Sequence, residues 1–361
     1  LNFYDGSYPN ELAKSKFLKE GNRVLQLTNE GIHALACRNK RPFFIPDTIK
    51  SKSNDEDENK NQILLNMNSI FIVPLLVQDK LIGTLDFSHG SKKLKLSKKV
   101  QENISIFSGL VAGVIQNFSL LEKVETERQK SEKLLLNILP RDVAVELKEK
   151  GFAEPTLFEE VSVMFTDFKG FTQIAETLSP SELIKELDAC FVQFDKIIER
   201  FNLEKLKTIG DSYMCAGGIP KKNKTHAIDC VLAALEIQNF MNLMKKLKEE
   251  KGFPYWEIRL GIHTGPLVAG VIGEKKFAYD VWGDTVNTAS RMESSGTPGK
   301  INISGSTYEQ VKDFFNCEYR GKINAKNKGE VDMYYVKELK KEFSKNGDGK
   351  TPNGKFWKML G

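Results

Sequence analysis

The chain has 361 residues, 40% hydrophobic and 28% charged, with 23 phenylalanines, enough for two packed domains and a connector. Its 53 Lys and Arg against 48 Asp and Glu leave a net charge of +5 spread along the sequence. No basic stripe is crossed by aromatics, which argues against a nucleic-acid partner.

Five cysteines, Cys37, Cys190, Cys215, Cys230 and Cys317, are widely spaced and form no CxxC pair. They read as reduced thiols in a reducing, cytoplasmic compartment, not as a disulfide framework. We read no run of about 18 apolar residues and no signal peptide, so no membrane span is expected in this chain. The sequence begins at Leu1 rather than Met, which leaves an upstream membrane anchor open.

The first zone, residues 1–100, is expected to be one α/β domain. Residues 31–37 suit a short helix and residues 42–46 an extended stretch. Residues 51–62 are polar, hold the acidic run Asp55 to Glu58, and read as a solvated loop. Residues 70–76 and 81–87 are apolar strands joined by Val77-Gln78-Asp79-Lys80, a hairpin signal. A long helix is expected over 98–139. Its apolar residues recur in steps of three and four, from Val100 and Ile104 to Leu121 and Val124. Leu121, Val124, Leu134, Leu135 and Ile138 suit a coiled-coil seam against a second copy, or else a plain surface helix. Pro140 ends or kinks the helix, and residues 98–151 form the linker.

Residues 152–340 make the third zone, where helices alternate with hairpins. That rhythm predicts an α+β domain with a mixed sheet flanked by helices, not a doubly wound fold. No GxGxxG and no Walker A sequence is present. Residues 161–165 are a buried strand. Ser179-Pro180-Ser181-Glu182 is a helix start with a capping box. Strands 203–209 and 212–216 flank Gly210-Asp211. A second long helix covers 227–247. Two strands, 257–262 and 268–272, are expected around a turn at His263-Thr264-Gly265-Pro266. A short helix at 284–292, a strand at 300–303 and a hairpin of 319–323 with 331–336 follow. Residues 341–361 read as a flexible tail.

Asp167 directly follows the buried strand, and Asp211 sits at a hairpin tip. Two held carboxylates can bind divalent ions, and hard oxygen donors beside phosphate select Mg²⁺ or Mn²⁺. Either aspartate alone reads equally well as a turn or cap residue. After Asp167 come Phe168, Lys169, Gly170, Phe171 and Thr172, where Gly170 permits a tight turn and the following amides suit a phosphate. Asn287 and Arg291 are four apart on one helix and face one way. Lys207, in a strand, needs a partner for its charge, and Asp280 raises the same question. Lys326 and Lys328 lie between two strands. His263 lacks a nucleophile pattern, and the four histidines lack zinc-ligand spacing.

Residues 160–339 resemble the catalytic domain of class III adenylate and guanylate cyclases. The resemblance rests on stretches 163–172, 205–216, 259–273, 279–294 and 320–329, in that order. It implies a head-to-tail homodimer that converts ATP to cyclic AMP and pyrophosphate with two Mg²⁺ or Mn²⁺ ions. By resemblance, Asp167 and Asp211 hold the metals, and Lys207 and Asp280 read adenine. Asn287 and Arg291 match the transition-state pair, and Lys326 matches the lysine on the terminal phosphates. Lys326-Asn327-Lys328-Gly329 stands where the family commonly has Lys-Gly-Lys-Gly. The first zone resembles a GAF domain, which implies a small-molecule ligand. Residues 134–151 resemble the short transducing element that precedes many cyclase domains.

Overall fold

The computed structural model describes residues 31–48, 50, 68–89, 93, 95–273, 276–325 and 329–360. Contacts divide the chain into two units, residues 1–132 and 133–361. The 51–62 loop lies outside the described residues.

In the first unit, helix α1 (Ile32–Asn39) precedes a three-stranded antiparallel sheet, β1 (Phe43–Ile45), β2 (Ser69–Val77) and β3 (Lys80–His89). The expected β2–β3 hairpin is present. Gln78 and Asp79 both take positive φ, 47° and 64°, the turn geometry that matches the twist of the flanking strands. β2 is buried from Ser69 through Leu75, which explains its unbroken apolar run.

Helix α2 runs over Lys98–Leu136 as one piece of 39 residues. It is apolar on two sides. Ser108 and Ala112 are buried within the chain, while Phe107, Leu110, Val114, Phe118 and Leu121 are exposed. No charge falls between Glu102 and Glu122, and an 18-residue window reaches a mean hydropathy of 1.7. The expectation that nothing here is long and apolar enough for a membrane span is therefore corrected. Counting only consecutive apolar residues missed a stretch in which Ser, Gly, Asn and Gln interrupt the run without adding charge. The helix ends before Pro140, which caps α3 (Arg141–Lys150).

The second unit holds an eight-stranded sheet of order β10-β11-β9-β7-β4-β6-β5, with β8 also on β7. The strands are β4 (Thr156–Lys169), β5 (Leu203–Ile209), β6 (Ser212–Gly217), β7 (Glu257–Ile272), β8 (Ala278–Trp282), β9 (Ile301–Ser304), β10 (Phe315–Ala325) and β11 (Gly329–Leu339). Only the β7–β9 pairing is parallel, so the sheet is mixed as expected. Its helices are the short α4 (Phe171–Ala175), α5 (Pro180–Arg200), α6 (His226–Glu250), α7 (Asp284–Ser294) and α8 (Gly305–Val311). α5 starts at the capping box, with Glu182 N–H donating to Ser179 Oγ at 3.3 Å and Ser179 N–H to Glu182 Oε2 at 3.0 Å.

Alternation along the strands feeds two cores. Met164, Tyr213, Cys215, Leu260 and Ile262 pack with Phe194, Ile198, Val231 and Ile237 of α5 and α6. Val163, Phe165, Met214, Ala216 and Leu267 face the other way, with Ala144 of α3 and Ala289 of α7.

Two expectations fail here. Residues 257–272 form one continuous strand, with His263 and Thr264 buried inside it rather than in a turn. Gly265 serves a close approach: a Cβ there would lie 2.7 Å from Thr285 Oγ1. Pro266 falls opposite a bulge in β4, between Phe158↔Leu267 and Val161↔Gly265, where no ladder N–H is required.

The tail is not loose either. Residues 341–347 form two 3₁₀ turns, and α9 (Gly354–Leu360) follows. Phe343 and Phe356 are buried in the α5–α6 core against Phe314. Asn353 Oδ1 caps α9 by accepting from Phe356 N–H at 3.0 Å. The Lys, Gly and Asn content hid two aromatic anchors seated at a sheet edge.

Candidate active site

The end of β4 and the β5–β6 hairpin bring two carboxylates together. Asp167 precedes the last two residues of β4. Asp211 is at the hairpin tip after Gly210, whose φ is 63°. The Asp211 carboxyl is pushed up first by burial and then by the charge of Asp167; the N–H groups of Asp211 and Phe168 pull it down. β4 and β7 pair Asp167 with Arg259, and Arg259 Nη2 donates to Asp167 Oδ2.

A third carboxylate, Glu293, closes this group from α7. Arg259 Nε stands 2.9 Å from Glu293 Oε1, yet neither atom completes an aligned hydrogen bond. Burial pushes the Glu293 carboxyl up to about 7; Arg259 opposes this and Asp167 adds to it. α7 gets this close because Gly261 has no side chain: a Cβ there would fall 1.9 Å from the Glu293 backbone nitrogen. Asn302, fully buried, holds the same helix end through Nδ2 donating to Met292 O at 2.7 Å.

These donors suit a divalent cation. Among the described residues, Asp167 and Asp211 are neighbouring hard oxygen donors with one cationic neighbour in hydrogen-bond contact. Among the described residues no cluster of three or more His, Cys, Asp or Glu could enclose an ion. A two-carboxylate site leaves the other positions to water and substrate phosphate, the usual situation for Mg²⁺.

A second group lies on β5 and β8. Lys207 Nζ donates to Asp280 Oδ2 at 2.5 Å. The β5–β6 register slips between Lys205 and Lys207, and this bulge re-aims Lys207. Asp280 is fixed in turn, with Oδ1 accepting from Val281 N–H at 2.9 Å. On α7, Thr285, Thr288, Ala289 and Met292 are buried, leaving Asn287 exposed and Arg291 half-buried. Among the described residues, no hydrogen bond or ion pair joins the Asp167–Asp211 group to the Lys207–Asp280 pair.

The sequence of residues 153–338, over half the chain, matches the family described as the adenylate and guanylate cyclase catalytic domain. The chain belongs to this family. It is 40% identical over 256 residues to guanylyl cyclase C of Homo sapiens, covering 70% of this chain and 24% of that protein. It is 41% identical over 214 residues to an adenylate cyclase of Mycobacterium tuberculosis (strain ATCC 25618 / H37Rv), covering 59% of this chain and 47% of that one. The chain thus spans about a quarter to a half of the length of these relatives. Among solved structures, the adenylyl cyclase CyaB from P. aeruginosa is similar at 30% identity and a TM-score of 0.49, covering 51% of this chain and 96% of that one.

Cyclases of this family use divalent metal ions and act as dimers on a nucleotide. Within this cyclase domain, the sequence-predicted residues do not all come together. Asp167 with Asp211, and Lys207 with Asp280, meet in space. Phe168 does not offer its side chain: the ring is 2% exposed and packs on Phe191, Phe194 and Trp256. Its backbone N–H lies close enough to Asp211 to pull that carboxyl down. Phe171 packs on Trp256 at a ring distance of 5.6 Å, so its side chain is structural as well. Gly170, at φ 72°, caps α4, and Thr172 is exposed on its first turn. Lys326 lies outside the described residues; β10 and β11 pair up to Ala325↔Gly329 on either side of its turn.

Arg259 and Glu293 were missed by sequence reasoning. The signal was available for Arg259: a charge in the apolar run 257–262 needs a partner by the same argument applied to Lys207. His263 is buried within β7, with Nδ1 2.8 Å from Ser304 Oγ.

Proposed function

We propose that this chain is an adenylate cyclase that converts ATP to 3′,5′-cyclic AMP and pyrophosphate at sites shared between two copies. The Lys207–Asp280 pair carries this reading. It sets one donor beside one acceptor. Adenine presents an acceptor at N1 and a donor at its C6 amine, so both groups are matched. Guanine presents the opposite polarity at both places and would leave both mispaired, at about 1–3 kcal/mol for each buried unsatisfied group.

Divalent ions held by Asp167 and Asp211 would activate the ribose 3′-hydroxyl and neutralise phosphate charge. Arg291 stabilises charge growing on the α-phosphoryl oxygens as the 3′-oxygen attacks. Asn287 orients the ribose for in-line approach. Lys326 steadies the departing pyrophosphate. The carboxylates come from one copy; Lys207, Asp280, Asn287, Arg291 and Lys326 come from the other. The outward position of Asn287 and Arg291 on α7 supports that division.

The exposed stripe on α2 gives the second copy a further contact. Phe107, Val111, Val114, Phe118 and Leu121 follow steps of four and three, the spacing of a two-helix seam. The N-terminal unit is read as a GAF-like sensor of a small molecule, with α2 and α3 passing its state to the catalytic pair.

The test is incubation with ATP, or separately GTP, plus Mn²⁺ and identification of the products. Cyclic AMP and pyrophosphate are expected. Cyclic GMP from GTP at an equal or greater rate would overturn the base assignment while leaving the cyclase assignment intact.

A further inference from the structure

Arg259 is ion-paired with two carboxylates but makes an aligned hydrogen bond to only one of them. Its Nη2 is bonded to Asp167. Its Nε lies 2.9 Å from Glu293 Oε1 without the alignment of a hydrogen bond. Arg259 and Glu293 are largely buried, at 27% and 9% side-chain exposure. A buried charged pair at contact distance but out of line falls short of its full hydrogen-bond energy, and the guanidinium bridges both carboxylates. A cation on Asp167 would remove the pull of that carboxylate, and a small rotation would align Nε–H with Glu293.

The placement of Glu293 is enforced. Gly261, two residues after Arg259 on β7, admits the α7 backbone at Glu293 itself, and Asn302 holds the preceding carbonyl. A carboxylate supported in this way can receive a guanidinium repeatedly without moving.

We propose that Glu293 is a positioning residue that takes Arg259 over from Asp167 when a divalent cation binds, so that the guanidinium does not compete with the ion for the Asp167 carboxylate. The proposal rests on reading Asp167 and Asp211 as the metal ligands. The formal charges make it quantitative. Once Glu293 is ionised, above about pH 7, Asp167, Asp211 and Glu293 less Arg259 leave an excess of two negative charges. Glu293→Gln lowers that to one and leaves Arg259 with Asp167 alone. Adding Arg259→Met returns it to two.

The experiment is titration of the full chain with Mn²⁺ alone, without nucleotide, reading free Mn²⁺ by electron paramagnetic resonance. Glu293→Gln should weaken Mn²⁺ affinity on the order of ten-fold, as loss of a supporting partner to a metal ligand typically does. The double variant Glu293→Gln with Arg259→Met should recover most of that loss, an outcome that a merely structural role for Glu293 does not produce. Glu293→Gln with native affinity, or a double variant as weak as the single one, would overturn the proposal. Should Glu293→Gln fail to fold, Arg259→Met alone decides: tighter Mn²⁺ binding than the native chain supports the handover, and equal or weaker binding contradicts it. Asp167→Asn separates the two readings. If it binds Mn²⁺ as the native chain does, the metal assignment beneath the proposal is wrong. If it loses Mn²⁺ while Glu293→Gln does not, only the handover is wrong.

Discussion

Asp167 and Glu293 share a single guanidinium, with Asp211 beside Asp167, whereas Lys207 and Asp280 stand one to one. The first group carries surplus negative charge in a half-buried place, which in the proposed function a cation would balance. The second is already neutral, with one donor and one acceptor, and suits an uncharged ring that offers the reverse pattern. The contrast explains why one chain can carry two such groups with no hydrogen bond or ion pair between them among the described residues. Each needs something different from the substrate, and α7 adds Asn287 and Arg291 on a face turned away from its own sheet.

Breaking the surplus-charge group should have the largest effect. Asp167→Asn should lower cyclic AMP formation on the order of 10³-fold, since several kcal/mol of charge stabilisation depend on it; a near-native rate would remove the basis of the contrast. Arg291→Ala should cost on the order of 10²–10³-fold in kcat, the usual loss for a charge-stabilising donor, with a smaller change in KM. The balanced pair should fail more gently. Lys207→Glu with Asp280→Cys should reduce preference for ATP over GTP on the order of 10²-fold, measured as the ratio of kcat/KM values. An unchanged ratio would mean that the pair does not read the base.

The smallest effect concerns stability. Glu204 lies on β5 three residues before Lys207, and burial pushes its carboxyl from 4.5 up to about 7. The folded chain keeps a proton there that the unfolded chain releases near 4.5. The Glu204 contribution is therefore fully present below that pH and is lost as pH rises through about 7. Glu204→Gln should flatten this part of the decline in Tm between pH 5 and 8. An unaltered slope would place the pH dependence elsewhere.

Much of the fold was legible because local chemistry and tertiary structure agree. The capping box at Ser179 and Glu182, the β2–β3 turn and the Gly210-Asp211 hairpin all need only neighbours in sequence. What escaped depends on partners far along the chain. Gly265 and Pro266 look like a turn until Thr285 and the β4 bulge are seen beside them. The C-terminal segment looks loose until Phe343 and Phe356 find Phe314. In the site, Asp167, Asp211, Lys207 and Asp280 could be named from sequence, but their pairing came from the family resemblance alone, because periodicity does not say which strand edges meet. The place of the Phe168 ring could not be read for the same reason: strand alternation turns it into the core. Arg259 and Glu293 became visible only when the β4–β7 register and the seat of α7 on Gly261 were known.

The claim beneath all of this is that one nucleotide is processed by two chains, each supplying the part the other presents to a different site. Asp167→Ala and Arg291→Ala chains, co-expressed with different tags and purified as folded mixed dimers, test it directly. Each variant alone should be inactive. Each mixed dimer should hold one complete site and show about half the native rate per dimer. Folded mixed dimers as inactive as either parent would contradict the shared site.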